Sequence, residues 1–253
     1  MLVSRQFRFN RSKTLDLLNG LDEVGGQAVS IYLPPGLAES DTRKLIVKAF
    51  PAQDIPLGIV ELVAASSTGA AIFWGPSRKL LIRPPFPLVE HFMSPDIDVE
   101  PLCSMLESTC TVALILVRLG AFVIGVCQGE QLVTSKTGTG LVHGRHRKGG
   151  SSQRRFERRR ENQARDFLGR VCGHARQQLE PYAKDLDYLV YGGAWTTIQS
   201  LKKQCPFLKE YEDRTLPPLL SIPQPRRAVL EKAVTDVWSS TITEWYDDKA
   251  LEI

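Results

Sequence analysis

The chain has 253 residues, 43% of them apolar and 24% charged, with a formal charge of +4. That composition excludes a disordered or fibrous chain and leaves room for one large domain or two modest ones. The mild net charge hides an asymmetry: residues 145–160 hold eight of the 32 basic residues and one acid, Glu157, so the remainder is close to neutral. The five cysteines fall at wide, irregular spacings without a C-x-x-C pair, so neither a disulfide framework nor a zinc ribbon is expected, and a reducing cytosol fits best. The opening "MLVSRQFRFNRSKTLDLLNG" has no apolar core of signal-peptide length. The longest apolar stretch, "TVALILVRLGAFVIGVC", is broken by Arg118 and Gly120, so it reads as two strands and a turn rather than a membrane span.

In chain order, "SKTLDLLNGLDEV" carries leucines at helical spacing behind a serine start, and "QAVSIYLPP" is a β-rich run stopped by prolines. "DTRKLIVKAF" and "PLGIVELVAASS" read as helices, and "GAAIFWGPSRKLLIRPPFP" as strand, Gly-Pro turn and strand. These make a small α/β unit over residues 1–105. "HFMSPDIDVEPLCSML", with a short helical signal, suits a connection. "CTVALILVRL", "AFVIGVCQG" and "EQLVTSKTGTG" then form an antiparallel meander. A long helical pattern follows from about Arg154 to Leu179, with Phe156, Ala164, Phe167, Leu168, Val171, Ala175 and Leu179 on one face. "DYLVYGG" is a strand, "AWTTIQSLKKQ" a helix, "PPLLSI" a strand, and "PRRAVLEKAVTDVWSSTITEWYDD" a closing helix that Pro225 can start. The fold class expected is α/β, a mixed sheet with packed helices over residues 106–253 behind the small N-terminal domain.

The segment "HGRHRKGGSSQRRFERRR" carries most of the chemical information. Gly149 and Gly150 permit close approach of another molecule, and a polar loop feeding a helix start offers free N–H donors to an anion. Arg145, His146, Arg147, Lys148, Arg154, Arg155, Arg158 and Arg159 suit a phosphate backbone, since arginines supply affinity without reading sequence. A solvated hinge and a charged helix face are the plainer alternative. Gln153 cannot titrate, but an amide can orient a water and its backbone N–H can donate to an oxyanion, which suits hydrolysis of a reactive ester. Its plainer alternative is a polar residue at a helix start.

Other motifs exclude more than they suggest. His143 and His146, and Cys172 and His174, lack the further close ligands of a zinc set. A two-metal nuclease needs several acids at strand ends, and the strands from 111 to 136 contain only Glu130. "GTG" at 138–140 lacks a P-loop lysine and reads as a turn. Trp195, Trp238 and Trp245 fall in helical patterns and are expected in packing roles.

"HGRHRKGGSSQRRFERRRENQ" behind "AFVIGVCQGEQLVTSKTGTG" resembles the middle, peptidyl-tRNA-hydrolysing domain of eukaryotic and archaeal class I release factors, whose loop carries Gly-Gly-Gln before an arginine-rich helix. More closely, it resembles the Vms-like release factors of ribosome-associated quality control, of the actinobacterial type, in which a glycine, two variable residues and a glutamine make the motif. Here these are Gly150, Ser151, Ser152 and Gln153, and "YGG", "CPFLKEYEDRTLPPLLSI" and "VWSSTITEW" fit the same subfamily. The resemblance covers about residues 110–253 and implies an RNase H-like sheet. It also implies stop-codon-independent release of nascent chains from tRNA in the peptidyl-transferase centre of a stalled ribosome or large subunit. The implied catalytic segment is Gly149, Gly150, Ser151, Ser152 and Gln153, with no metal or other cofactor. The implied partners are the large subunit, its ribosomal RNA and peptidyl-tRNA, met by a monomeric cytoplasmic protein. Clipping of the tRNA 3′ end, or RNA binding without catalysis, are the alternatives. The N-terminal part is faintly similar to the first domain of release factors, without a recognisable stop-codon-reading loop.

Overall fold

A computed structural model describes residues 2–22, 28–51, 55–56, 58–76, 78–142 and 153–247. The chain divides into two compact units, unit 1 of residues 1–108 with 235–253, and unit 2 of residues 109–234.

Unit 1 is built on a six-stranded antiparallel sheet. Its elements are β1 (Leu2–Phe9), α1 (Arg11–Asp22), β2 (Val29–Leu33), α2 (Glu39–Ala49), α3 (Gly58–Ala64), β3 (Ala70–Trp74), β4 (Lys79–Arg83), β5 (Phe92–Ser94), α4 (Glu100–Glu107) and the last strand, β11 (Ser240–Asp247). The strand order is β1-β11-β4-β3-β2-β5. Alternation along β3 sends Ala71 and Phe73 to a core with Leu18 and Leu21 of α1 and Leu102 and Leu106 of α4. Ala70, Ile72 and Trp74 face the other way, onto Ile46 of α2 and Ile59, Val60 and Val63 of α3. Asn10, rather than the serine, caps α1: its Oδ1 accepts the Lys13 N–H at 3.0 Å.

Unit 2 contains β6 (Thr111–Arg118), β7 (Ala121–Gln128), β8 (Gln131–Thr139), α5 (Gln153–Leu179), β9 (Leu186–Gly193), α6 (Trp195–Gln204), β10 (Thr215–Leu220) and most of α7 (Arg227–Val237). The sheet order is β10-β9-β6-β7-β8, with β6, β7 and β8 an antiparallel meander and β9 and β10 parallel to β6. Burial on both faces is why "TVALILVR" and "AFVIGVCQ" read as unbroken apolar runs. Leu119 and Gly120 close the β6–β7 hairpin, Gly120 taking φ +98°, a conformation open to glycine. One face carries Ala113, Ile115, Val117, Phe122 and Ile124 under Phe167, Leu168, Val171, Ala175 and Leu179 of α5 and Ile198 and Leu201 of α6. Each such fully buried Leu or Phe contributes roughly 2 kcal/mol. On α7, Leu230 lies over Gly125, where an added methyl group would fall 2.6 Å from its Cδ2.

Several expectations are corrected. The closing helix ends at Val237, and residues 240–247 form a strand whose Ile242 and Trp245 enter the two cores of unit 1. The boundaries 1–105 and 106–253 are therefore not those of the compact units. Trp238 and Trp245 are buried, but Trp195 is 65% exposed because the buried side of α6 runs through Thr197, Ile198 and Leu201. "GTG" is the end of strand β8, where Gly138 leaves space for the Phe122 ring. Cys172 and Cys205 form a disulfide, their Cα atoms 5.5 Å apart, because α5 and α6 pack side by side. Gly169, midway along α5, has no neighbour within 4 Å of an added methyl group. Gly169→Ala is accordingly expected to stabilise the protein by roughly 1 kcal/mol, read as a raised thermal midpoint.

Candidate nucleic-acid interface and release loop

Helix α5 is longer than the sheet it packs on. Its 27 residues span about 40 Å at 1.5 Å per residue, against about 26 Å for an eight-residue strand. Only the half from Phe167 onward is buried in the core. That half is fixed by Thr134, whose Oγ1 donates to Gln178 Oε1 at 2.8 Å, and by Phe122, which stacks on His174 at 5.5 Å and tilts against Phe167. Gly140, just past β8, lies against the same helix: a methyl group there would fall 2.6 Å from both Phe167 and the Arg170 guanidinium.

Gln153 is the first residue of α5, fourteen positions before Phe167, or about 21 Å further along the axis. Arg154, Arg155, Arg158 and Arg159 follow on it, and all four are exposed. Arg154, Glu157, Arg158, Glu161, Asn162 and Arg165 line a shallow polar recess along one side. Phe156, expected on the core face, is 59% exposed because the core has ended before the helix reaches it. Arg145, His146, Arg147, Lys148, Gly149, Gly150, Ser151 and Ser152 lie outside the described residues, as does the side chain of Gln153.

The electrostatics of this helix start are unusual for a helix left to itself. The macrodipole puts partial positive charge at the N-terminus, where acids are stabilising by about 0.3–1 kcal/mol each and cations are unfavourable. The first turn of α5 contains no acid and two arginines. An incoming anion reverses that penalty, since it meets the dipole, the N–H groups of the first turn and the guanidinium groups together.

No group of three or more His, Cys, Asp or Glu side chains among the described residues could hold a metal ion. Cys172 is committed to its disulfide, and His174 Nδ1 lies 3.3 Å from Gln177 Oε1. Burial pushes the Cys127 thiol up to about 12, and its S–H donates to the Val112 carbonyl. Burial likewise raises Tyr191 above the usual phenol range. Both are core groups of the sheet. No helix among the described residues is long and apolar enough to cross a membrane. Sequence reasoning found the helix and its arginines but missed Gly138 and Gly140 as the positions that let β8 lie close to Phe122 and α5. The alternation of polar residues along "QLVTSKTGT" was the signal that could have found them.

The peptide chain release factor subunit 1 of Methanopyrus kandleri is 26% identical over 239 residues, covering 83% of this chain and 58% of its own. The chain spans about half the length of the curated relatives it matches. The crystal structure of an archaeal translation termination factor, aRF1, is similar at 19% identity and TM-score 0.41, over 90% of this chain and 70% of that one. The Vms1 mitochondrial localization core is similar at 12% identity and TM-score 0.43, over 89% and 92%. Residues 110–243, just over half of the chain and including α5 with its arginine-rich start, match the family model described as Actinobacteria/chloroflexi VLRF1 release factor, and it is to this family that the protein belongs.

Proposed function

We propose that the protein is a metal-independent peptidyl-tRNA hydrolase that frees nascent chains from tRNA on stalled ribosomes or large subunits without reading a stop codon. The observation that carries this reading is the start of α5: a glutamine followed by a first turn of cations without an acid, about 21 Å beyond the core. Such a stem suits entry into a narrow, phosphate-lined cavity. In the proposed mechanism Arg154, Arg155, Arg158 and Arg159, with Arg145, His146, Arg147 and Lys148, hold ribosomal or tRNA phosphates. Gly149 and Gly150 let the backbone approach the tRNA 3′ end, Ser151 and Ser152 carry the chain to the helix, and Gln153 orients water at the ester carbonyl. Positioning and preorganised donors supply the rate, so the reading requires no cofactor.

An RNase H-like fold for unit 2 belongs to the same reading. Numbering β6 to β10 as one to five, the sheet order is 5-4-1-2-3 with strand two antiparallel, which supports that assignment. Action in the cytoplasm, as a monomer, follows from the proposed substrate and not from the cysteines.

The test uses large subunits carrying labelled peptidyl-tRNA and a gel that resolves peptidyl-tRNA, intact tRNA and shortened tRNA. Free peptide with intact tRNA is expected. A shortened tRNA would replace hydrolysis with endonucleolytic clipping, and binding without release would leave only an RNA-binding module.

The arginines make a separate prediction. Reversing Arg154 and Arg158 to glutamate is expected to weaken large-subunit binding at least about tenfold and to flatten its dependence on salt by about one unit of slope for each phosphate left without its cation. The thermal midpoint should hold within about a degree or two, because both side chains are exposed and an acid at 154 suits the first turn of α5. Subunit pelleting across a KCl series, beside a thermal melt, reads both.

A further inference from the structure

The sheet of unit 2 has two chemically different ends. β6 and β9 run parallel with Val117 opposite Gly193, β10 joins with Leu220 opposite Gly192, β7 begins with Ala121 opposite Arg118, and β8 ends with Thr139 opposite Ala121. The connections 118–121, 139–142, 192–197 and 220–227 therefore meet at one end. They contain Arg118, Arg226 and Arg227, and of these Arg227 is paired with Glu231 of α7 at 2.9 Å. The Arg170 guanidinium adds to them, since it lies against Gly140. The opposite end collects Glu130, Glu180, Asp185, Glu210, Glu212 and Asp213 beside Lys184, Lys209 and Arg214.

The same end also exposes apolar surface. Trp195 is 65% exposed, Leu141 72% and Leu119 39%. Helical spacing turns Trp195 away from the side of α6 that Thr197, Ile198 and Leu201 bury. Arg118 ends β6 at this same end of the sheet, with one guanidinium nitrogen donating to the Ile222 carbonyl at 3.4 Å. An exposed indole at the end that holds Arg118, Arg170 and Arg226 matches the way single-stranded nucleic acid is held: a base on an aromatic face and a backbone along cations.

We propose that this end of unit 2 is a second RNA contact that takes unpaired nucleotides, with Trp195 stacking on a base and Arg118, Arg170 and Arg226 holding the adjoining phosphates. The proposal deepens the RNA-engaging part of the reading above and needs nothing from Gln153. The combination selects the occupant, because an unpaired nucleotide offers both a base to the Trp195 indole and phosphates to Arg118, Arg170 and Arg226.

The test uses the full chain and oligoadenylate of about a dozen nucleotides, within the ~4–16 that one single-strand-binding domain covers. Of the four tryptophans, Trp74, Trp238 and Trp245 are buried, so quenching by a stacked base reports on Trp195. Binding, followed by anisotropy of labelled oligoadenylate, is expected to quench the parent but not Trp195→Phe. Trp195→Ala should weaken binding about tenfold, as loss of one stacking platform does. Arg118→Gln combined with Arg226→Gln should flatten the salt dependence by about 1.4, at ~0.7 per phosphate for single strands. Saturation without quenching, or unchanged binding by Trp195→Ala, overturns the proposal. So does a Trp195→Ala protein that loses large subunits while oligoadenylate never quenches the parent, which would assign the patch to a ribosomal protein. Quenching without any peptide release by the parent would keep this surface and discard the hydrolase reading. Release without quenching would do the reverse.

Discussion

Gln153→Ala is expected to slow peptide release from peptidyl-tRNA by about 100-fold or more, the usual consequence of deleting one preorganised polar group at a reacting carbonyl. Alanine is the best helix former, so α5 keeps its start, its arginines and its first-turn N–H groups. Binding to large subunits should therefore stay within about twofold, since the phosphate contacts that dominate affinity are untouched. Single-turnover release at saturating protein separates the two quantities, with subunit pelleting as the binding arm. Gln153→Glu sharpens the result. A carboxylate is favourable at a helix start, so the fold is safe, yet it brings charge toward an ester flanked by phosphates and cannot donate as an amide does. Both variants should be slow and bound. Release at the parent's rate by Gln153→Ala would remove the glutamine from the chemistry and leave the basic helix as a binding element.

The largest expected effect on stability belongs to Gly193→Ala. Gly193 sits at the end of β9 with φ +126°, outside the range that side-chain-bearing residues adopt readily. A methyl group there would press on the Val117 carbonyl oxygen, and Val117 and Gly193 are register partners in the parallel pairing of β6 with β9. A backbone atom cannot swing aside as a long side chain can, so the ladder must open or the turn into α6 must be rebuilt. Backbone strain of this kind costs of order 1–3 kcal/mol, and the disrupted pairing and packing add to it, so a loss of about 3 kcal/mol or more is expected. Hydrogen exchange across β6 and β9 reads it locally, with Gly169→Ala as the contrasting substitution. Unchanged protection in Gly193→Ala would mean that the junction relaxes cheaply.

What the sequence disclosed follows the physical range of each interaction. Where burial is decided locally, the pattern was enough: "TVALILVR" and "AFVIGVCQ" are buried on both faces and read as strands, and Phe167 to Leu179 trace the packed stripe of α5. Where burial depends on a distant partner, it was not. "STITEWYD" continues a helical pattern by spacing, yet alternation puts Ile242 and Trp245 into opposite cores once β1 and β4 flank it, more than 150 residues away in sequence. Phe156 extends the apolar stripe of α5, and only the end of the meander at Gly140 shows that no core remains to receive it. Cys172 and Cys205 are 33 residues apart and meet only because α5 and α6 pack together. The candidate site was legible as chemistry, a glutamine before arginines, but its reach was not, because reach is the difference between a helix length and a strand length.

The order of strands in unit 1 also dictates an order of events during synthesis. β11 lies between β1 and β4, so β1 has no partner in its sheet until residues 240–247 are available. Unit 2 is continuous in sequence and can complete its own core first. The arginine-bearing helix can thus be assembled while the sheet of unit 1 still waits for β11, the strand that joins β1 to the rest of it.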